Sequence, residues 1–213
     1  MDRSSYIDTF SRFYQVSRET ITGLEKFENL LINANKSLNL IANSTIDKIW
    51  HRHIMDSFQV IDFISKNDKI IVDIGSGAGF PGIVIAFAAN ERKIPLKIVL
   101  FEKSIKKAKF LENTISNLNL NIQVICKNIL DEEEIVGDVF VARAFKPLPV
   151  ILELIHNKKL NFKKFFIFLG KTGGSELIQA SKSWNIDYKQ RVSVTSNDSK
   201  ILEINNLIKK KNV

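Results

Sequence analysis

Apolar and polar positions follow two alternating periods along the chain, and each change of period marks an element. Leu24, Phe27, Leu30, Leu31 and Ala34 recur every three or four residues, an amphipathic helical stripe that ends near Asn39. A second helix is predicted over 47–64. It places Ile49, Trp50, His53, Ile54, Ser57, Phe58 and Ile61 near one face, with Thr45 or Asp47 as its cap. The period then shortens. Residues 70–74 form a β-branched apolar run that reads as a strand buried on both faces. Further strands are predicted over 97–102, 122–126, 138–143 and 164–169, with helices over 104–118, 148–156 and 175–183 between or after them. Residues 188–195 and 200–205 then pair as an antiparallel hairpin. Strands alternating with helices predict an α/β fold with a mostly parallel, doubly wound sheet. The two leading helices make residues 1–66 a helical extension on a 67–213 core, all within one domain of ordinary size.

The first strand runs into glycines. Asp73-Ile74-Gly75-Ser76-Gly77-Ala78-Gly79-Phe80-Pro81-Gly82 gives strand, turn and helix start, the geometry that brings backbone N–H groups to a ligand. Gly77 to Gly82 satisfies G-x-G-x-x-G, a dinucleotide fingerprint that is weak by itself. The fuller pattern, D-x-G-x-G-x-G from Asp73 to Gly79, resembles the first motif of Rossmann-like S-adenosylmethionine methyltransferases. Charge agrees with that likeness, because Asp73 suits an ammonium and repels a pyrophosphate. Glu102, at the end of the second strand, is placed to accept both ribose hydroxyls of either nucleoside. The adenine is expected beside Lys127-Asn128-Ile129-Leu130, at the end of the third strand.

Composition narrows the classes further. A single cysteine, Cys126, rules out an internal disulfide and fits a reducing cytoplasm. The start of the chain carries no apolar signal core, and the longest uncharged run, rich in glycine, is a poor membrane span. Three histidines and one cysteine make a metal site improbable, and His51 and His53, two apart on a helix, face different ways. The net charge of +8 suits a polyanionic partner, although Lys-, Asn- and Ile-rich coding bias produces the same excess. Gly170-Lys171-Thr172 fails as a phosphate loop, since Phe165 stands where the earlier glycine is required. Lys171 is instead placed to meet an RNA phosphate. Lys209-Lys210-Lys211 reads as a frayed basic tail.

Three blocks then support a closer likeness: Arg52-His53-Ile54-Met55-Asp56-Ser57, Gly77-Ala78-Gly79-Phe80-Pro81-Gly82 and Arg143-Ala144-Phe145. With Glu102-Lys103-Ser104, and Asn35-Lys36 and Asn39-Leu40 upstream, they resemble the ribosomal RNA small-subunit methyltransferase G family, also called glucose-inhibited division protein B. The likeness runs from about Leu24 to Gly173 and implies S-adenosylmethionine-dependent methylation of a guanine N7 in 16S small-subunit ribosomal RNA. It implies donor contacts at Asp73, Gly75, Gly77, Gly79, Phe80 and Glu102, adenine contacts at Ile129 and Leu130, and a donor-site arginine at Arg143. Arg143 is taken as catalytic, with Asp56 and His53, to hold the donor's carboxylate or to orient the guanine. Arg52, His53 and Asp56 either shape the substrate pocket or form a buried polar network tying the helical extension to the sheet, and Arg52, Lys146 and Lys171 are placed toward RNA. One departure is that the family commonly has an acid at the position of Leu130, whereas the acids here begin at Asp131.

The residue inventory fits that reaction. Guanine N7 exposes an in-plane lone pair, so no proton must leave before attack and no general base is required. Neither the Asn/Asp-Pro-Pro-Tyr/Phe clamp of amine methyltransferases nor a Pro-Cys nucleophile loop is present. A monomer acting on the small subunit is expected, without metal or membrane. The alternative is a non-catalytic RNA-binding assembly factor that keeps the fold without turnover.

Overall fold

The computed structural model describes residues 2–157 and 159–210, Lys159 by its backbone alone. Seven strands form one sheet in the order β3-β2-β1-β5-β7-β9-β8. They are β1 (Ile70–Ile74), β2 (Lys97–Phe101), β3 (Ile122–Ile125), β5 (Val139–Arg143), β7 (Lys164–Leu169), β8 (Trp184–Ser193) and β9 (Ser196–Lys209). The first five of these pair parallel, and β9 runs antiparallel to both β7 and β8. Helices α4 (Gly82–Glu91), α5 (Ile105–Asn117), α6 (Leu148–Asn157) and α7 (Gly173–Ser183) fill the connections. The chain leaves β1 for β2 and β3 and returns to β5 on the other side. Open α/β sheets bind ligands at such a switch point, outside the carboxyl ends of the strands.

Two apolar layers flank the sheet. One joins Ile71, Ile98 and Val141 to α4 and to the N-terminal helices through Leu24, Phe27 and Leu31. The other buries Val72, Phe140 and Phe165 under α6 and α7. Each fully buried large apolar side chain contributes about 1.5–3 kcal/mol, so both layers are needed.

Several elements depart from the sequence expectation. Helix α1 (Arg3–Tyr14) precedes the predicted stripe, which itself becomes α2 (Arg18–Leu38). Phe10 fixes α1 by packing its ring against Tyr14, Trp50 and Phe58 at 5.3, 5.5 and 5.0 Å. Buried Glu28 adds a polar clasp, accepting from Arg3 Nη2 at 2.6 Å and Trp50 Nε1 at 2.9 Å. The predicted helix over 47–64 buries the expected face but is not one regular helix. A 3-10 stretch (Asn43–Lys48), π-turns (Trp50–Met55), a single α-turn α3 (Asp56–Phe58) and another 3-10 stretch (Gln59–Phe63) succeed one another. π-turns inside helices often mark functional segments, because the extra residue re-aims the side chains. A small parallel pair, β4 (Glu134–Val136) with β6 (Lys159–Asn161), lies outside the prediction.

The hairpin is longer than expected, and the basic ending is not frayed. Lys209 Nζ lies 2.9 Å from a Glu153 carboxylate oxygen and over the Trp184 ring, and the Lys210 amide donates to the Ser183 carbonyl. Lys211 lies outside the described residues. Among the described residues, no helix is long and apolar enough to cross a membrane, and no three His, Cys, Asp or Glu side chains are grouped to hold a metal ion.

Candidate active site

The glycine turn after β1 is held open by its own backbone. Gly75 and Ser76 N–H both donate to the Phe101 carbonyl at the end of β2, and Gly79 N–H donates to Ser76. Gly75 has φ +70°, and a Cβ there would sit 2.3 Å from Cδ2 of Phe145. That position therefore requires glycine both for conformation and for space. At Gly79, also at positive φ, a Cβ would meet Ile83 and Leu111, so glycine is required there for packing as well.

Asp73 is wholly buried beneath the turn. Its Oδ2 accepts the Gly82 amide at 2.9 Å, while Oδ1 has no partner among the described residues. Burial pushes its pKa up to about 7, opposed by the Gly82 hydrogen bond. Asp73 thus braces the turn against the start of α4 and does not line the cleft. Glu102 does line it. One carboxylate oxygen accepts from Gly77 N–H at 2.9 Å and the other from Ser104 N–H at 2.8 Å. The acid is thereby locked at the strand end with its carboxylate on the cleft.

These groups wall a cleft of about 470 Å³, the size of a small-molecule site. Gly75, Gly77, Phe80 and Glu102 line one part, and Asn128, Ile129 and Leu130 another. Ala144, Phe145 and Lys146 close it beyond β5, and Leu40, Ile41 and Ala42 contribute a further wall. That wall is tied down by Asn35, whose Oδ1 accepts the Leu40 and Ile41 amides at 2.7 and 2.9 Å. Sequence reasoning assigned these three residues no role; the signal was Asn35, a polar residue buried near the end of an apolar helix. Asn35→Ala leaves two amides without their acceptor and is expected to weaken donor binding several-fold while lowering the melting temperature by only a few degrees. Calorimetry against the donor checks this.

A second cleft, of about 560 Å³, shares His53, Arg143 and Ala144 with the first. Arg143 is the dividing wall. Its Nε donates to Asp56 Oδ2 at 3.3 Å, Nη1 to His53 Nδ1 at 2.8 Å, and Nη2 to the Arg52 carbonyl at 2.7 Å. Since a guanidinium only donates, His53 Nδ1 is the acceptor, which leaves Nε2–H to donate to Thr45 Oγ1 at 3.0 Å. The His53 ring stacks on Phe80 at 5.0 Å and 20°. Asp56 Oδ1 accepts from Gln59 at 2.9 Å and from Ser193 Oγ at 2.7 Å, tying in the hairpin tip. Ala144 follows with φ +51°, a left-handed conformation unusual for a side-chain-bearing residue, and it turns Phe145 back onto Gly75.

The three quoted sequence blocks therefore meet at one place. Arg52 lines the second cleft and Lys146 the first. Lys171 lines neither: it is 85% exposed beyond β7, with Asp198 3.9 Å away. Sequence reasoning also missed the hairpin-tip partners Ser193 and Thr195, which no local motif announces.

Burial, with the Arg143 charge beside it, depresses the His53 pKa from 6.5 to about 3. The native state thus holds a neutral imidazole that the unfolded chain protonates more readily. Its contribution to stability is complete above pH 6.5 and is lost as pH falls from there toward 3. The wild-type melting temperature should fall more steeply across that window than that of His53→Gln, which has no group to titrate. Parallel slopes would show that His53 is not buried neutral.

Comparison with known proteins agrees with this arrangement. A family model described as rRNA small subunit methyltransferase G matches residues 20–205. The chain is 40% identical over 199 residues to Ribosomal RNA small subunit methyltransferase G of Pelagibacter ubique, covering 92% of this chain and 93% of that one. It is 40% identical over 195 residues to the Rickettsia felis protein of the same name, covering 92% and 98%. Among solved structures, the 16S rRNA methylase RmtB superposes with TM-score 0.52 at 13% identity, over 89% of this chain and 75% of that one. M. capricolum TrmK, solved with S-adenosyl-homocysteine, gives TM-score 0.52 at 20% identity, over 70% and 66%. The structural likenesses establish a Rossmann-like methyltransferase fold. The sequence likenesses, with the three motif blocks converging on Arg143, make this chain a member of the rRNA small subunit methyltransferase G family.

Proposed function

We propose that the protein transfers a methyl group from S-adenosylmethionine to N7 of a guanine in 16S small-subunit ribosomal RNA, with the donor in the first cleft and the guanine in the second. The observation that carries this reading is Arg143, one side chain walling both clefts and fixed by three acceptors. The residues fit the donor. Glu102 presents a locked carboxylate to the ribose hydroxyls, the backbone of Gly75 to Gly77 leaves room for the methionine part, and Ile129 and Leu130 flank the adenine. When bound, the donor supplies an electrophilic sulfonium methyl.

The protein's task is alignment. N7 attacks with its own lone pair, so no side chain has to remove a proton. The geometry agrees, because His53 Nδ1 is engaged by Arg143 and Asp56 accepts from Arg143, Gln59 and Ser193. His53 and Asp56 are thus positioning residues that hold Arg143 and, through it, the border between the clefts. Alignment of this kind supplies a large share of a barrier that needs no acid or base. The methylated purine becomes cationic as the sulfonium charge is lost, and the Asp56 carboxylate, by pairing with Arg143, keeps the border from presenting an uncompensated positive charge to it. Lys146 and Arg52, one on each cleft, are assigned to RNA phosphates.

The core that α1 and α2 share with β1 and α4 supports reading residues 1–213 as one methyltransferase domain. The test is transfer of labelled methyl from S-adenosylmethionine to small-subunit RNA, naked and assembled, with large-subunit RNA as control. Label in the small-subunit RNA alone is expected. Donor binding without any transfer would favour the non-catalytic assembly factor.

A further inference from the structure

The second cleft carries an aromatic pair that the reaction as described leaves unused. Tyr6, on α1, and His51, on the π-turns, lie against each other with ring centroids 5.4 Å apart and planes tilted by 32°, and both line the cleft. The other aromatic groups there are already occupied. His53 lies against Phe80, and Phe168 has the Arg143 guanidinium 6.0 Å above its ring. Tyr6 also lies upstream of residues 20–205, the part of the chain that the family model matches.

A purine lifted out of RNA needs a flat surface for its face, polar groups for its edge and cations for its phosphates. The cleft supplies all three. Thr195, Ser196 and Ser199 bring hydroxyls, while Lys48, Arg52 and Lys200 bring positive charge. We infer that Tyr6, backed by His51, is the stacking wall that holds the extruded target guanine in the second cleft, so that α1 is part of the RNA site. This rests on the ribosomal RNA methyltransferase reading. His51 restricts the Tyr6 ring, so the ring is set before the base arrives and less freedom is lost on binding.

The experiment compares Tyr6→Ala, Tyr6→Leu, Tyr6→Phe and Tyr6→Trp in steady-state methyl transfer to small-subunit RNA. Donor affinity by calorimetry and melting temperature are measured alongside. Loss of one base–aromatic stack corresponds to about a ten-fold fall in kcat/KM. That fall is expected for Ala and for Leu, which keeps apolar bulk without a π-face, at unchanged donor affinity. Phe and Trp should stay within about two-fold of wild type, since the face and not the hydroxyl is used. Full activity of Tyr6→Leu, or a Phe variant as damaged as Ala, overturns the assignment while leaving the methyltransferase reading intact. An equal loss of donor affinity in the Ala and Leu variants also overturns it, by showing that α1 supports the fold and not the base. A wild-type protein inactive on small-subunit RNA overturns the underlying reading, and the assignment with it.

Discussion

Arg143→Ala is expected to lower methyl transfer at least about 100-fold, since a misplacement of about 1 Å at a reacting pair costs that much. The substitution removes the wall between the clefts and strands three acceptors at once: Asp56 Oδ2, His53 Nδ1 and the Arg52 carbonyl. Breaking a largely buried ion pair from one side costs about 3–5 kcal/mol, which for a chain of this size lowers the melting temperature by about 10 °C. The variant should still fold, because both apolar layers stay intact. Arg143→Lys should restore little. An ammonium keeps the charge but cannot reach three acceptors in different directions as a planar fork does. Rates at saturating donor, with melting curves, check both statements. A fully active Ala variant would remove Arg143 from the site.

Gly75→Ala carries the second large effect. The new methyl must enter at φ +70° with the Phe145 ring 2.3 Å away. The left-handed conformation alone costs a side-chain-bearing residue about 1–2 kcal/mol, and the ring can yield only by leaving the wall of the donor cleft. Donor affinity should fall about 100-fold, which corresponds to nearly 3 kcal/mol. Two other glycines grade the effect. Gly77→Ala, also at positive φ but with its nearest neighbour at 3.7 Å, bears only the backbone strain and should lose about ten-fold. Gly170→Ala, with nothing within 4 Å, should bind the donor as wild type does. Calorimetry on the three variants reads the series directly. Equal losses at Gly75 and Gly77 would mean that Phe145 does not shape the cleft.

Much of this was legible before any coordinates, for identifiable reasons. The parallel strands are short runs rich in β-branched and aromatic residues and ended by glycine or charge, and such a pattern has few competing interpretations. Glu102 was expected at the end of the second strand, and it lines the cleft there, because a strand end fixes its neighbourhood without reference to the rest of the chain. What escaped depended on distant partners. Asp73 looked like a ligand group from its position, yet the adjacent turn folds over it and its carboxylate serves Gly82. The 43–63 segment showed the right buried face, but periodicity does not distinguish an α-helix from successive 3-10 and π-turns, and those turns decide where His53 and Asp56 point. Ser193 was invisible because its partner Asp56 lies 137 residues away. Lys171 shows how far a local position reaches: the strand end leaves it exposed, but its place outside both clefts depends on the tertiary path.

The most direct test of the central claim, that one arginine-walled border passes a methyl from a donor cleft to a guanine cleft, is to locate the transferred methyl. Small-subunit RNA lacking the modification would be incubated with the protein and S-adenosylmethionine, then reduced and cleaved with aniline to reveal N7-methylguanosine. Strand scission at one guanine, absent with Arg143→Ala, is the result this geometry predicts. Methyl found on an exocyclic amine, on a ribose or on no RNA atom would contradict it.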